Sequence, residues 1–233
     1  MFLFWKGKKD MKNSIEKICG CVDHTNLKKT ALPDDIVRLC EEAIKYNAAS
    51  VCVQPCYVEL ASVLLEGKKP AVCTVIGFPN GYSTTKVKEA ETIDAILNGA
   101  TEIDMVLNIN WLKSGMYDKI RNEIKALADI CHHRYTEKKA ILKVIIETCL
   151  LTPEEIQQMV ELCIEGEADF IKTSTGFDSA GAQVEDIKLM KESIMGRYLK
   201  IKASGGIRTL EDADAMIEAG ADRIGASALF KDM

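Results

Sequence analysis

The sequence predicts an α/β protein with a single (β/α)₈ TIM barrel, and three observations indicate this class. Short apolar strand candidates alternate with amphipathic helical stretches along the chain. The alternation occurs eight times within 233 residues, close to the length at which such a barrel forms one domain. No stretch rich in Pro, Gly or Ser divides the chain. An open, doubly wound parallel sheet is the alternative, although no GxGxxG signature follows the first strand.

The predicted strands are short and rich in apolar, often β-branched residues, as buried parallel strands require. They are Cys21–Thr25, Ser50–Gln54, Ala71–Phe78, Glu102–Asn108, Ile141–Thr148, Asp169–Ser174, Leu199–Ser204 and Arg223–Ala226. Helix signals lie between them, because Ser83, Thr152 and Thr209 are suitable N-cap residues. Thr152 also begins a capping box with Pro at the first helical position. The expected helices cover 83–98, 152–166 and 209–220.

We expect residues 1–12 to form a peripheral extension and residues 13–233 to form the barrel domain. The opening MFLFWKGKKD places apolar residues before lysines, the reverse of a secretory signal, and no 18-residue apolar stretch predicts a membrane span. The net charge of −5 and the dispersed lysines predict neither a nucleic-acid nor a membrane partner. Nine cysteines are an odd number without a CxxC pair, which favours reduced thiols in a cytoplasmic protein over a disulfide framework.

One face of four consecutive strands carries charge. Side chains alternate between the two faces of a strand, and in each of these strands one parity is almost entirely apolar. The apolar parity is expected to pack against the helices, so the other parity points into the barrel. This assignment directs Asp104, Lys143, Lys172 and Lys202 into one interior. Such interiors normally contain branched apolar residues, and lysine is almost never fully buried without a partner.

Three lysines beside few carboxylates predict that one amine is held partly neutral, the form that a nucleophilic lysine needs. A free lysine has a pKa of about 10.4, so less than ~0.1% is neutral at pH 7. A cationic neighbour and partial desolvation can lower such a pKa by ~3 units, an effect of ~4 kcal/mol. The alternative is that the lysines lie at strand ends and form ion pairs with Asp104 and Glu147.

Glycine-rich segments follow the last three predicted strands. They are Thr173-Ser174-Thr175-Gly176, Ser204-Gly205-Gly206-Ile207-Arg208 and Gly225-Ala226-Ser227. Glycine allows a close approach to backbone N–H groups, and barrels often bind phosphate with the loops after strands seven and eight. Tight turns would use the same glycines. No ligand cluster for a metal is apparent, because His132 and His133 are adjacent on a predicted helix and His24 is expected to be packed or hydrogen-bonded.

Six segments in order along the chain resemble the deoxyribose-phosphate aldolase family. They are Val22-Asp23-His24-Thr25-Asn26-Leu27, Thr74-Val75-Ile76-Gly77-Phe78-Pro79, Glu102-Ile103-Asp104-Met105-Val106, Leu142-Lys143-Val144-Ile145-Ile146-Glu147-Thr148, Phe170-Ile171-Lys172-Thr173-Ser174-Thr175-Gly176-Phe177 and Lys202-Ala203-Ser204-Gly205-Gly206-Ile207-Arg208-Thr209. The resemblance covers residues 22–227. It implies a (β/α)₈ barrel that reversibly cleaves 2-deoxy-D-ribose 5-phosphate to acetaldehyde and D-glyceraldehyde 3-phosphate, without metal or cofactor.

The resemblance also implies roles for individual residues. Lys172 corresponds to the Schiff-base lysine, Lys202 to a second catalytic lysine that favours the neutral form of the first, and Asp104 to the acid/base carboxylate. Implied substrate contacts are Asp23, Thr25, Cys52, Lys143 and Thr175. Implied phosphate contacts are Gly176, Gly205, Gly206, Gly225 and Ser227. A homodimer or higher homo-oligomer is the family-level expectation.

Two departures and two alternatives accompany this resemblance. The segment Phe177-Asp178-Ser179-Ala180-Gly181 differs from the common Phe-Ser-Thr-Gly-Gly, and Ala228 replaces the second serine of the usual Gly-Thr-Ser-Ser. The loss of that hydroxyl is expected to weaken phosphate binding. The alternatives are another Schiff-base aldolase for a different phosphorylated sugar, and a non-catalytic barrel that binds sugar phosphates.

Overall fold

The computed structural model describes residues 11–134, 139–230 and 233, and it contains a closed barrel of eight parallel strands. Each strand pairs with the next along the chain, and β8 pairs with β1. The strands are β1 (Val22–Asn26), β2 (Ser50–Val53), β3 (Ala71–Ile76), β4 (Glu102–Val106), β5 (Ile141–Ile145), β6 (Phe170–Lys172), β7 (Lys200–Ser204) and β8 (Arg223–Ala226). The predicted TIM barrel is therefore confirmed, and the open-sheet alternative is wrong.

Helices surround the barrel in the order that a parallel sheet requires. They are α1 (Ile15–Cys19), α2 (Pro33–Lys45), α3 (Val58–Leu64), α4 (Thr85–Leu97), α5 (Ile109–Lys113), α6 (Tyr117–Asp129), α7 (Pro153–Glu165), α8 (Val184–Ile194) and α9 (Leu210–Ala219). A short π-helical segment, Ile130–Arg134, extends α6. None of the helices in the described ranges has the length and apolarity to cross a bilayer.

Two of the predicted helix starts are confirmed and one is wrong. The Thr152 hydroxyl accepts a hydrogen bond from the Glu155 amide at 3.3 Å, and Thr209 caps α9 in the same way. Ser83 does not cap α4, which has Thr84 in the extended N-cap conformation and begins one residue later than predicted. Thr85, the first residue of α4, donates a hydrogen bond from its hydroxyl to Glu123 of α6 at 3.0 Å, a tertiary contact that the local sequence does not indicate.

β2 to β6 end earlier at their carboxyl ends than the sequence predicts, and β1, β6 and β7 begin one residue later than predicted. β3 stops at Ile76 because Gly77 has a φ of +62°, and β5 stops at Ile145, two residues before Glu147 with a φ of +54°. β6 ends at Lys172 itself. The residues after these ends leave the sheet and cover the mouth of the barrel, where the side chains of a binding site are expected in this fold.

The apolar core lies between the strands and the helices. Ile103 and Met105 of β4, for example, are fully buried on the outward face. Of the predicted N-terminal extension, residues 1–10 lie outside the described residues. The backbone amide of Lys12 donates to Asp214 of α9 at 2.9 Å, so the barrel is in contact with the chain from at least this point. The boundary between extension and barrel domain stays a prediction.

All nine cysteines are described and none forms a disulfide. Six are buried, as expected for small apolar side chains. Burial raises the pKa of the Cys40 thiol to about 11 and that of the Cys131 thiol to about 12, so both are unreactive at neutral pH.

Candidate active site

Every strand of the barrel directs at least one titratable side chain into the lumen. In strand order they are Asp23, Cys52, Cys73, Glu102 with Asp104, Lys143, Lys172, Lys202 and Arg223. The pairing register explains this arrangement, because side chains of paired residues point to the same face of the sheet. Asp104 is paired with Lys143, and Lys172 with Lys202. Strand parity therefore brings the four predicted lumen residues together.

Asp104 is the centre of the cluster and contacts all three lysines. Its Oδ1 accepts a hydrogen bond from Lys143 Nζ at 2.7 Å. Its Oδ2 accepts from Lys172 Nζ at 2.7 Å and from Lys202 Nζ at 2.6 Å. Burial alone would raise the pKa of Asp104, but the three neighbouring lysine side chains hold it well below its ordinary value. One carboxylate therefore pairs with all three lysines, so the small number of carboxylates leaves none of these amines without a partner.

Asp23 and Glu102 form a second layer of carboxylates below Asp104. Asp23 forms ion pairs with Lys202 and, at 2.5 Å, with Arg223. Glu102 contacts Lys143 at 2.7 Å and Arg223 at 3.0 Å. Although burial opposes their charge, these carboxylates and Asp104 raise the pKa of Lys143 and Lys202 above the ordinary lysine value. Both side chains are therefore ammonium ions at neutral pH.

Lys172 differs from the other two lysines in its partners and in its access to solvent. Among the described residues its ion pair is with Asp104, whereas Lys143 and Lys202 each contact at least two carboxylates. Lys172 also lines a cavity of about 600 Å³ at the carboxyl ends of β1, β6, β7 and β8. Lys143 and Lys202 are fully buried and are not among the described residues that line this cavity.

The glycine-rich segments at the ends of β6, β7 and β8 form one wall of this cavity. Gly176, Gly205, Gly206, Gly225 and Ser227 all line it, together with Thr25 and Thr175. A Cβ atom on Gly205 would lie 2.9 Å from the Cα atom of Gly181, so two loop backbones pack directly against each other there. A Cβ atom on Gly225 would lie 2.8 Å from Ser204 Cβ and 3.3 Å from the Lys202 side chain. These glycines therefore keep the loops close and leave room for Lys202.

Thr175 is held by Glu147, for which the sequence indicates only a possible ion pair with the lumen lysines. Its hydroxyl donates to Glu147 Oε2 at 2.5 Å and its amide to Oε1 at 3.1 Å. Glu147 thus anchors the loop after β6, and its predicted ion pair with the lumen lysines is replaced by hydrogen bonds to Thr175. Burial raises the pKa of Glu147, and the bonds from Thr175 partly oppose this. The signal in the sequence was the position of Glu147 near the carboxyl end of the predicted strand Ile141–Thr148, the end at which the binding residues of this fold lie.

The remaining predicted substrate residues occupy two levels. Thr25 lies at the cavity wall, and its hydroxyl donates to the Asp23 carbonyl at 2.8 Å. Cys52 lies deeper, in an apolar cluster with Cys73 and Val75 against which Leu27 and Phe78 pack. The Phe78 ring makes an edge-on contact with that of Phe177, with ring centroids 5.2 Å apart. This pair bridges the loops after β3 and β6.

The donor atoms near Asp104 do not suit a metal ion. Two sets lie close enough to share an ion, Cys52 with Cys73 and Asp104, and Asp23 with Cys73 and Glu102. The carboxylate oxygens of both sets already accept hydrogen bonds from lysine or arginine side chains. A metal cation would have to displace these groups against the repulsion of the others.

The described histidine side chains belong to neither set. His24 is buried and contacts Glu42 at 2.6 Å and the Phe230 ring, which confirms the expected packed and hydrogen-bonded state. His132 contacts Asp169 at 2.9 Å. The His133 side chain lies outside the described part of the chain.

A buried lysine that meets a cavity at the carboxyl end of a (β/α)₈ barrel, beside a carboxylate and a second ammonium group, is the arrangement of a Schiff-base-forming aldolase. The model of the DeoC/LacD family aldolases matches residues 18–232. The chain belongs to this family.

Relatives and solved structures agree with this assignment. The chain is 53% identical over 213 residues to a deoxyribose-phosphate aldolase of Clostridium perfringens strain SM101, covering 91% of this chain and 92% of the relative. The aldolase QR15 superposes with a TM-score of 0.85 at 44% identity, over 92% of this chain and 95% of that chain. A tetrameric deoxyribose phosphate aldolase from Aeropyrum pernix gives a TM-score of 0.86 at 29% identity, over 96% and 93% of the two chains.

Proposed function

We propose that this enzyme, a deoxyribose-phosphate aldolase, cleaves 2-deoxy-D-ribose 5-phosphate through a Schiff base on Lys172. The single observation that carries the assignment of Lys172 is its position. Among the lumen lysines in the described part of the chain, Lys172 has one carboxylate partner and lines the cavity. Loss of its proton breaks one ion pair, whereas the same loss at Lys143 or Lys202 would break at least two.

The reaction begins when the neutral Lys172 amine attacks the C1 aldehyde of the open-chain sugar. The carbinolamine loses water to give a protonated imine, which accepts the electron pair of the breaking bond. The products contain two and three carbons, so the C2–C3 bond breaks. A base removes the proton of the C3 hydroxyl, C3 becomes the aldehyde of glyceraldehyde 3-phosphate, and an enamine remains on Lys172. Protonation at C2 and hydrolysis release acetaldehyde and restore the amine.

Asp104 is suited to move these protons, directly or through water. Its carboxylate is ionised and lies 2.7 Å from Lys172 Nζ, so it can accept a proton close to the reacting atoms. Lys202 bonds the same Oδ2 atom and remains charged, which disfavours a second positive charge on Lys172. Lys143 binds the other oxygen of Asp104, and Asp23 binds Lys202, so both reacting neighbours of Lys172 are fixed in position.

The phosphate is proposed to bind at the glycine wall of the cavity. Backbone N–H groups of the loops after β6, β7 and β8, at Gly176, Gly205, Gly206, Gly225 and Ser227, are the candidate donors. Binding there would fix the distance between the phosphate and C1, so that the aldehyde meets Lys172 at the cavity floor. Ala228 offers no hydroxyl to this wall, so weakened phosphate binding stays a proposal.

Borohydride trapping tests the assignment of Lys172. The enzyme is incubated with acetaldehyde, reduced, digested and analysed by mass spectrometry. We expect an added ethyl group on Lys172, with Lys143 and Lys202 as buried internal controls. An adduct on either control, or a failure to trap any lysine while acetaldehyde is released from deoxyribose 5-phosphate, would overturn the mechanism. The release assay itself separates this enzyme from an aldolase for another phosphorylated sugar.

Further properties follow as proposals. The enzyme is cytoplasmic, works without metal or cofactor, binds neither nucleic acid nor membrane, and forms a homodimer or higher homo-oligomer, as the tetrameric Aeropyrum pernix relative suggests. Activity that survives dialysis against a chelator supports the metal-independent reaction. Light scattering coupled to size-exclusion chromatography measures the oligomeric state.

A further inference from the structure

Arg223 closes the lower end of the buried charge cluster. It is the first residue of β8, and its side chain is only 12% exposed. It is linked to Lys172, the lysine at the cavity, through ion pairs that run from Asp23 to Lys202 and then to Asp104. Its guanidinium reaches Asp23 Oδ1 at 2.5 Å and the two oxygens of Glu102 at 3.0 and 3.3 Å. Each of these carboxylates also binds a lysine, Asp23 binding Lys202 and Glu102 binding Lys143. Arg223 therefore touches both carboxylates that anchor the lysines beside Lys172.

The charges in the lumen do not balance. The cations are Lys143, Lys172, Lys202 and Arg223, and the carboxylates are Asp23, Glu102 and Asp104. With every group ionised, this ion-paired cluster carries one excess positive charge. Glu147 also interacts electrostatically with Lys172 from the loop after β5, but it lies outside the cluster and is hydrogen-bonded to Thr175. The facing groups on β2 and β3 are the thiols of Cys52 and Cys73, which carry no charge when protonated.

An excess charge in a buried cluster is costly, and the loss of one proton removes it. Arginine cannot lose its proton in a protein, so the proton must come from a lysine or a thiol. Lys143 and Lys202 each form ion pairs with at least two carboxylates, whereas the ion pair of Lys172 among the described residues is with Asp104. Cys52 is the competing group, because a hydrogen bond from Cys73 lowers its pKa.

We propose that Arg223 is a positioning residue whose fixed charge keeps Lys172 in the neutral, nucleophilic form while its two-sided contact holds Asp23 and Glu102 in place. This inference rests on the proposed function, since it assumes that Lys172 is the nucleophile. It assigns a catalytic consequence to a residue that does not touch the substrate cavity.

Two substitutions of opposite charge test the proposal. Arg223→Gln removes a positive charge, and Glu102→Gln removes a negative one. A buried unit charge at about 10 Å, with an effective dielectric constant of about 20, shifts a titration by about one pH unit. We therefore expect the acidic limb of the kcat/KM profile to move up by about one pH unit in Arg223→Gln and down by about one in Glu102→Gln. The double variant restores the charge and should return the limb close to its original position.

Controls separate charge from packing. Arg223→Lys keeps the positive charge and should keep the limb in place even if the protein is less stable. If Arg223→Gln does not fold, Glu102→Gln alone decides the matter. The proposal is overturned if the limb stays fixed while stability falls, or if both single variants move it in the same direction.

Two further measurements identify the group that titrates. If Cys52→Ser moves the limb and Arg223→Gln does not, the excess charge is relieved at the thiol and the proposal fails. Borohydride trapping of the original enzyme on Lys172 reports on the mechanism independently. Trapping on Lys172 with unmoved limbs would therefore reject the role of Arg223 and leave the mechanism intact.

Discussion

Lys172 and Lys202 bind the same oxygen of Asp104, yet they are placed for different tasks. Lys202 is 1% exposed and has two carboxylate partners, so its charge is compensated within the protein. Lys172 has one such partner and reaches the cavity. A permanently charged neighbour at hydrogen-bonding distance from a shared oxygen makes a second ammonium group there unfavourable. In the proposed mechanism, the difference between the nucleophile Lys172 and its helper Lys202 thus comes from the number of carboxylates around each amine.

The substitution Lys202→Leu tests this division. It removes the charged neighbour while filling a similar volume, so Lys172 should remain protonated and kcat/KM should fall by at least about 100-fold at neutral pH. Steady-state assays measure the loss, and circular dichroism checks that the barrel is retained. Activity close to that of the original enzyme in a folded variant would show that Lys202 does not set the state of Lys172.

Strand parity alone predicts that Asp104 and the three lysines share the lumen, and the structure places them there. The same reasoning does not predict their partners. Which carboxylate meets which cation depends on the register between strands, such as the pairing of Lys202 with Arg223, and on the closure of β8 onto β1. These are properties of the assembled barrel and leave no local pattern. Arg223 was for this reason not recognised as part of the site.

At the scale of elements, the loops after β5 and β6 are joined by one carboxylate. Glu147 adopts a left-handed conformation, with φ +54° and ψ +68°, which is uncommon for a residue other than glycine. This conformation accompanies a side chain that accepts hydrogen bonds from the amide and the hydroxyl of Thr175. Gly176, a candidate phosphate contact, is the next residue, so Glu147 indirectly positions the phosphate wall.

Substitution of Glu147 should therefore affect phosphate recognition more than chemistry. Glu147→Ala removes both acceptors, and we expect KM for deoxyribose 5-phosphate to rise by about tenfold with a smaller change in kcat. Glu147→Gln keeps an acceptor oxygen for Thr175 and is the matched control that should recover most of the loss. The unphosphorylated sugar 2-deoxyribose should be affected much less. An equal loss with both sugars would instead assign Glu147 to the chemistry at Lys172.

At the scale of the whole molecule, the barrel separates charge by halves. The carboxylates and thiols of the lumen come from β1–β4, and the cations come from β5–β8. Closure of the barrel brings the two halves into contact, since β4 pairs with β5 and β8 with β1. The alternation of strands and helices predicts the closure from sequence. It does not predict that so many ion-paired side chains occupy the lumen in place of a branched apolar core.

This arrangement predicts how stability depends on pH. The pKa of Asp23 and Asp104 is lowered on folding, because lysine and arginine charges outweigh the effect of burial. Their contribution is present above the unfolded value of about 3.9 and is lost as the pH falls below it. The pKa of Lys143 and Lys202 is raised, so their contribution is present below about 10.4 and is lost as the pH rises above it.

Urea unfolding between pH 3 and pH 11 measures this dependence, and the free energy of unfolding should be highest between about pH 5 and pH 10. Asp104→Asn removes the central carboxylate, so it should lower the plateau and reduce the slope of the acidic side. The surface variant Asp118→Asn, at an exposed ion pair with Arg121, is the matched control and should leave both nearly unchanged. If the two variants had the same pH dependence, the acid sensitivity would arise outside the lumen, and the contact between the two charged halves would not be what stabilises the closed barrel.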